Sequence, residues 1–131
     1  MARNKNKACC PAKPELAGRQ LLSGPQAGAL EVTFKTLANA TRLRLLHALV
    51  RAGELCVSDL AKAVKMKPQA VSNQLQRLAD RGIVDPRRDG VQIYYRIVDP
   101  CVVSLLDRGW CLTEDARQGT FDQAGTQRAA S

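Results

Sequence analysis

Five cysteines, Cys9, Cys10, Cys56, Cys101 and Cys111, are the residues of this sequence best equipped for chemistry. A thiolate is both a nucleophile and a soft metal ligand, so the set points to a thiophilic ion or to thiol redox exchange. The count is odd and no C-x-x-C pair occurs, which argues against a zinc ribbon or a thioredoxin-like site. The single histidine, His47, sits inside an apolar run and reads as a structural helix residue. With no second imidazole, nickel and classical zinc coordination are disfavoured. Hg(II), Cd(II), Pb(II) or As(III) is the expected kind of ion. One enzymatic pattern is present: Cys111 to Arg117 fits C-x5-R, a spacing used by phosphatases. Such loops aim backbone N–H groups at an oxyanion, which favours glycine and disfavours acids. Here Glu114 and Asp115 occupy the loop, no glycine is present and no strand precedes it, so the chain is expected not to be an enzyme.

The elements that must position these thiols follow from periodicity and punctuation. Residues 1–25 are rich in Lys, Arg, Pro and Gly and read as a flexible basic arm. Residues 113–131 read as a flexible tail, leaving 26–112 as the folded domain. Leu30, Phe34 and Leu37 recur at helical spacing over 26–38. Asn39 and Thr41 offer caps for a helix over 42–51 that Gly53 stops. Ser58 is the expected N-cap of a short third helix, with Leu60, Ala61 and Val64 facing inward. Pro68 opens a fourth helix, with Val71, Leu75 and Leu78 buried and Gly82 as its end. Asp89-Gly90 between two strand-like runs predicts a hairpin. Asp99-Pro100 opens a last helix that Gly109 is expected to end or bend. The resulting fold class is mainly α with a β-hairpin: a winged helix-turn-helix.

Net charge agrees with that order. Twenty Lys+Arg against 12 Asp+Glu give +8 at neutral pH, a surplus that favours polyanions. No apolar run approaches the roughly 18 residues of a spanning helix, and no apolar stretch follows the basic start, so the expected location is cytoplasmic, with no membrane partner. In a helix-turn-helix the second helix enters the major groove. Here its polar side carries Gln69, Ser72, Asn73, Gln76 and Arg77. Gln and Asn can pair with adenine and Arg with guanine. Arg87 and Arg88 at the hairpin suit the DNA backbone or minor groove, and Lys67 and Arg81 are secondary candidates for phosphate.

Residues 33–46 (TFKTLANATRLRLL), 53–60 (GELCVSDL) and 69–78 (QAVSNQLQRL), with the wing from Gly90 to Ile97, resemble the ArsR/SmtB family of metal-responsive repressors over roughly residues 28–112. The resemblance implies a homodimer built from the first and last helices. It also implies that double-stranded operator DNA is bound without metal and released with it. The usual metal box has two cysteines around its valine. Cys56 matches the first, but Ser58 replaces the second, so those two positions cannot form the site alone. Where some relatives carry Asp-x-His, this chain has Asp99-Pro100-Cys101.

The expected ligand set is therefore Cys56, Cys101 and Cys111, with Cys9 and Cys10 as additional candidates on the arm. On an unbroken helix Cys101 and Cys111 would lie about 15 Å apart and rotated by about 80°. Either Gly109 ends the helix and lets Cys111 fold back, or the two cysteines serve different sites. A redox-sensing repressor with the same DNA face is the alternative reading of the thiols.

Overall fold

The computed structural model describes residues 13–117; Cys9 and Cys10, the first half of the expected arm and most of the expected tail lie outside them. A short 3-10 turn at Leu16–Gly18 precedes helix α1, Gly24–Leu37. A full capping box starts α1: Ser23 Oγ accepts the Gln26 N–H and Gln26 Oε1 accepts the Ser23 N–H. The helix thus begins two residues before the expected domain boundary at 26.

Helix α2, Ala40–Ala52, is capped by Asn39, whose Oδ1 accepts the Arg42 N–H at 3.0 Å, and it ends at Gly53 with φ of 89°. A two-residue strand β1, Leu55–Cys56, leads straight into α3, Val57–Val64. The N-cap of α3 is Cys56 rather than Ser58, because β1 holds the backbone extended up to Cys56. Ser58 instead lies in the first turn, its hydroxyl 3.3 Å from Cys56 Sγ. Helix α4, Pro68–Asp80, opens on its proline as expected.

Strands β2, Val84–Asp89, and β3, Gln92–Ile97, form the hairpin. Asp89 pairs with Gln92, so the two turn residues are Gly90 and Val91, one position later than the Asp-Gly pair suggested. Gly90 has φ of 68° and Val91 has no positive φ, which is the type II′ pattern with glycine first. The sheet order is β1-β3-β2, all antiparallel.

Helix α5, Pro100–Asp115, is capped by Asp99, whose Oδ1 accepts the Cys101 N–H at 2.8 Å. Gly109 neither ends nor breaks it. A lone glycine costs a helix only about 1 kcal/mol, and Leu105, Leu106, Arg108 and Leu112, all good helix formers, lie within about a turn of it.

The core is one cluster: Leu45, Leu46 and Leu49 of α2, Leu60, Ala61 and Val64 of α3, Val71, Leu75 and Leu78 of α4, then Ile83, Val84 and Tyr95. Leu37 is the only buried residue of α1, and α5 has none. The middle of the chain therefore packs on itself, while both outer helices keep apolar side chains in solvent.

Candidate functional site

The α3–turn–α4 unit is anchored by its inner face and presents its outer one. Val71, Leu75 and Leu78 are fully buried, which fixes the rotation of α4 about its axis. Gln69, Asn73, Gln76 and Arg77 are consequently exposed, and Ser72 is half-buried at the edge of the same face. Gln69 Nε2 donates to Asn73 Oδ1 at 3.1 Å, and Gln76 Nε2 donates to Asp80 Oδ1 at 2.9 Å. These i, i+4 bonds keep the amides extended along one face. A further polar side chain of α4, Gln74, is taken out of that face by Arg42. The Arg42 guanidinium donates to Gln74 Oε1 at 2.8 Å and to the Thr36 carbonyl at 2.7 Å. It thereby joins the end of α1 to the middle of α4.

Three lysines missed as a group by sequence reasoning lie at the turn. Lys62, Lys65 and Lys67 line a shallow cleft with Ser58, Ala61, Met66 and Pro68. Lys65 adopts a left-handed backbone, φ 58°, and is the one non-glycine residue among the described residues with positive φ. The reversal it makes, closed by the Met66 N–H on the Ala61 carbonyl at 3.0 Å, draws lysines from both helices together. The sequence signal was there as three lysines within six residues, but it became a cluster only once the turn was known.

The wing treats the two expected arginines, Arg87 and Arg88, differently. Arg88 is exposed near the turn. Arg87 is engaged: its Nε and one terminal nitrogen donate to the two Glu54 carboxylate oxygens at 3.0 and 2.8 Å, and its guanidinium lies 4.9 Å from the Tyr94 ring centroid. Glu54 was not singled out from sequence, because its partner is 33 residues away. Burial raises the Tyr95 phenol above its ordinary pKa.

Cys56 is buried against the core, opposite Tyr94 in the β1–β3 register. Cys101 is half-buried in the first turn of α5, and Cys111 is exposed in its last turns. Because α5 is continuous, these two positions are separated by about 15 Å of helix within one protomer. No three His, Cys, Asp or Glu side chains gather as a metal site among the described residues. A single-protomer site made of Cys56, Cys101 and Cys111 is thus not assembled here, since the fold-back at Gly109 that would have helped does not occur. The C-x5-R pattern also dissolves. Cys111 to Asp115 are helical, and the Ala116 N–H bonds the Leu112 and Thr113 carbonyls rather than facing an anion. His47 is exposed on α2. Among the described residues, no helix is long and apolar enough to cross a membrane.

A buried-backed helix following a tight turn, with a basic two-stranded wing beside it, defines the winged helix-turn-helix class. The profile of the bacterial regulatory protein, arsR family, matches residues 39–85, from the cap of α2 through α4 into β2. The chain belongs to the ArsR/SmtB family. It is 43% identical over 86 residues to a transcriptional repressor SmtB homolog of Synechocystis, spanning 66% of this chain and 64% of that protein. It is 37% identical over 79 residues to the arsenic resistance transcriptional regulator ArsR1 of Pseudomonas putida, spanning 60% and 57% of the two. The chain thus spans less than two thirds of the length of these curated relatives. Among solved structures it is similar to the AntR antimony-specific transcriptional repressor, with 63% identity, a TM-score of 0.71, and coverage of 82% of this chain and 96% of that one. All three are named as transcriptional repressors or regulators, none as an enzyme.

Proposed function

We propose that this chain is a transcriptional repressor that binds operator DNA as a homodimer and is released when a soft thiophilic ion binds its cysteine thiolates. The observation that carries the DNA half is the α4 face. Four polar side chains of base-pairing type, Gln69, Asn73, Gln76 and Arg77, are held outward by a buried seam. The lysines at the α3–α4 turn and Arg88 flank that face, as phosphate contacts on either side of a reading helix should. Residues 26–112 serve as the reading and dimerising unit, and the basic arm before them adds Cys9 and Cys10.

The effector half rests on the cysteines and on the relatives. The arsenic and antimony names favour a trivalent metalloid among the soft ions, which thiolates select. Cys101 and Cys111 stand symmetrically about Leu106 on α5. Antiparallel pairing of α5 with its copy about a two-fold axis near Leu106 would set Cys101 opposite Cys111 of the partner subunit. One protomer alone cannot do this. Cys56, at the start of α3, ties the same chemistry to the reading head. Ion binding at these positions favours a dimer whose two α4 helices no longer match successive major grooves, about 34 Å apart. A hundredfold loss of affinity needs about 2.7 kcal/mol of coupling, within the ordinary allosteric range. An intrachain Cys101–Cys111 disulfide is ruled out by the helix, because its Cα atoms would need to approach to about 4.4–6.8 Å.

The test uses the reduced protein and a duplex selected by it from a random-sequence pool. Binding is titrated with Sb(III), As(III), Cd(II), Hg(II), Pb(II) and Zn(II), then repeated with Cys56→Ser, Cys101→Ser and Cys111→Ser. Release by a soft ion, lost in a serine variant, is the expected result. Selection of no duplex sinks the DNA reading. Tight binding indifferent to every ion sinks the effector reading.

A further inference from the structure

Strands β1 and β2 do not touch, since β3 lies between them. One side-chain contact nevertheless joins the backbone around β1 to β2. Arg87 on β2 pairs across to Tyr94 on β3, lies over that ring, and reaches Glu54, the residue before β1, through two hydrogen bonds of 2.8 and 3.0 Å. The Arg87 and Glu54 side chains together thus bridge about two strand spacings, near 10 Å, with the planar guanidinium over the Tyr94 ring between them. The other two wing ion pairs, Arg96 with Asp85 and Arg87 with Asp89, stay within the hairpin. Beyond the two-residue β1–β3 ladder, this bracket is what ties the outer wing strand back to the domain body on the β1 side.

We infer that Glu54 is a positioning residue for DNA binding. By holding Arg87 across Tyr94 it fixes the wing relative to α4, so that Arg88 and the Gly90–Val91 turn meet the duplex, and it keeps Arg87 itself off the phosphates. This rests on the DNA-binding reading above and assigns Arg87 a different role from a direct contact. β1 also carries Cys56, opposite Tyr94. The same bracket therefore couples the strand next to that thiol to the wing.

The two assignments of Arg87 predict opposite behaviour. A phosphate contact contributes about one unit to the slope of log affinity against log salt, and freeing it from a competing carboxylate tightens binding. A bracket contributes nothing to that slope, and breaking it from either side weakens binding equally. The pair is partly exposed, so E54Q and R87Q keep the fold.

The experiment measures affinity of wild type, E54Q, R87Q and the double variant for a duplex selected by the wild type, across a salt series. Hydrogen exchange of the amides from Arg88 to Gln92 is followed in the DNA-free proteins. We expect each single variant to lose about twofold to fivefold in affinity. The double variant should lose no more than either single one, with the salt slope unchanged and wing exchange faster in all three. Tighter binding by E54Q, with R87Q lowering the salt slope by one, overturns the proposal and makes Arg87 a phosphate contact. Unchanged wing exchange overturns it independently of DNA. Failure of the wild type to select a duplex is a separate result that removes the DNA reading beneath it.

Discussion

The Arg87 guanidinium holds the Glu54 carboxyl below its ordinary value of 4.5, chiefly through their hydrogen bonds, with desolvation opposing and the charges of Arg87 and Arg96 adding. A carboxyl lowered in the folded state contributes stability that is fully present above its unfolded value. That contribution is lost as pH falls through the lowered folded value. The pair is therefore intact throughout the neutral range and opens only below about pH 4.5. A carbon-detected NMR titration of the metal-free protein should place the Glu54 midpoint below 4.5, and R87Q should raise it from there. A wild-type midpoint at or above 4.5 would mean the pair does not persist in solution. Lys65 offers a second residue-level separation. Its left-handed backbone, φ 58°, is one that glycine adopts without strain. Lys65→Gly should leave stability unchanged or raise it by up to about 1 kcal/mol, as relief of αL strain allows. It should also lower the salt slope of duplex binding by about one unit. Loss of stability with an unchanged slope would make the lysine structural.

At the scale of elements, what was legible in the sequence followed from local backbone chemistry. Asn39, Pro68 and Asp99 announced their helix starts because caps and N1 prolines act on the nearest turn alone. The α4 seam was legible because helical spacing puts Val71, Leu75 and Leu78 on one side. The candidate DNA residues followed as its complement. What escaped depends on partners far along the chain. β1 is two residues long and has no periodicity of its own; it exists because β3 is there to pair with it. The turn slipped one residue because register is settled by the whole ladder from Val84–Ile97 to Asp89–Gln92, not by the Asp-Gly pair. Glu54 became visible only with Arg87. The cysteines could be named but not grouped: among the described residues no three ligating side chains come together. Gly109 was overvalued as a breaker, and that error yields a prediction. A Cβ built on Gly109 meets nothing within 4 Å, and its φ is not positive. Gly109→Ala should therefore raise stability by about 0.5–1 kcal/mol in urea unfolding. A clear loss would show that a second helix approaches α5 closely at this point.

For the whole molecule, the surface left by one protomer is hard to reconcile with a monomer. Helix α1 leaves Leu30, Val32 and Phe34 at 38–48% exposure, and α5 leaves Trp110 at 58% and Leu112 at 71%. Val102, Leu105 and Leu106 lean on the core from one side of α5, and Leu37 anchors the end of α1, but the opposite faces of both helices keep large apolar side chains in solvent. The same two helices hold almost none of the core, so their helicity needs tertiary support from elsewhere: isolated helices of about 12–15 residues are marginal in water. The proposed pairing of α1 and α5 with a second copy would supply that support, and it would set two α4 helices on one side of the assembly. Trp110 is the only tryptophan, so its fluorescence reports this event directly. On dilution, emission should shift to longer wavelength in step with the mass measured by sedimentation equilibrium. Trp110→Glu and Phe34→Glu should shift the population to monomer while Tyr95 and the α2–α4 core stay packed, because neither residue belongs to that core. DNA affinity in these variants should fall at least tenfold, since each half-site is then bound without its neighbour. A wild-type chain that remains monomeric at micromolar concentration, with a solvent-exposed tryptophan spectrum, would remove the dimer and with it the symmetric pairing of Cys101 and Cys111.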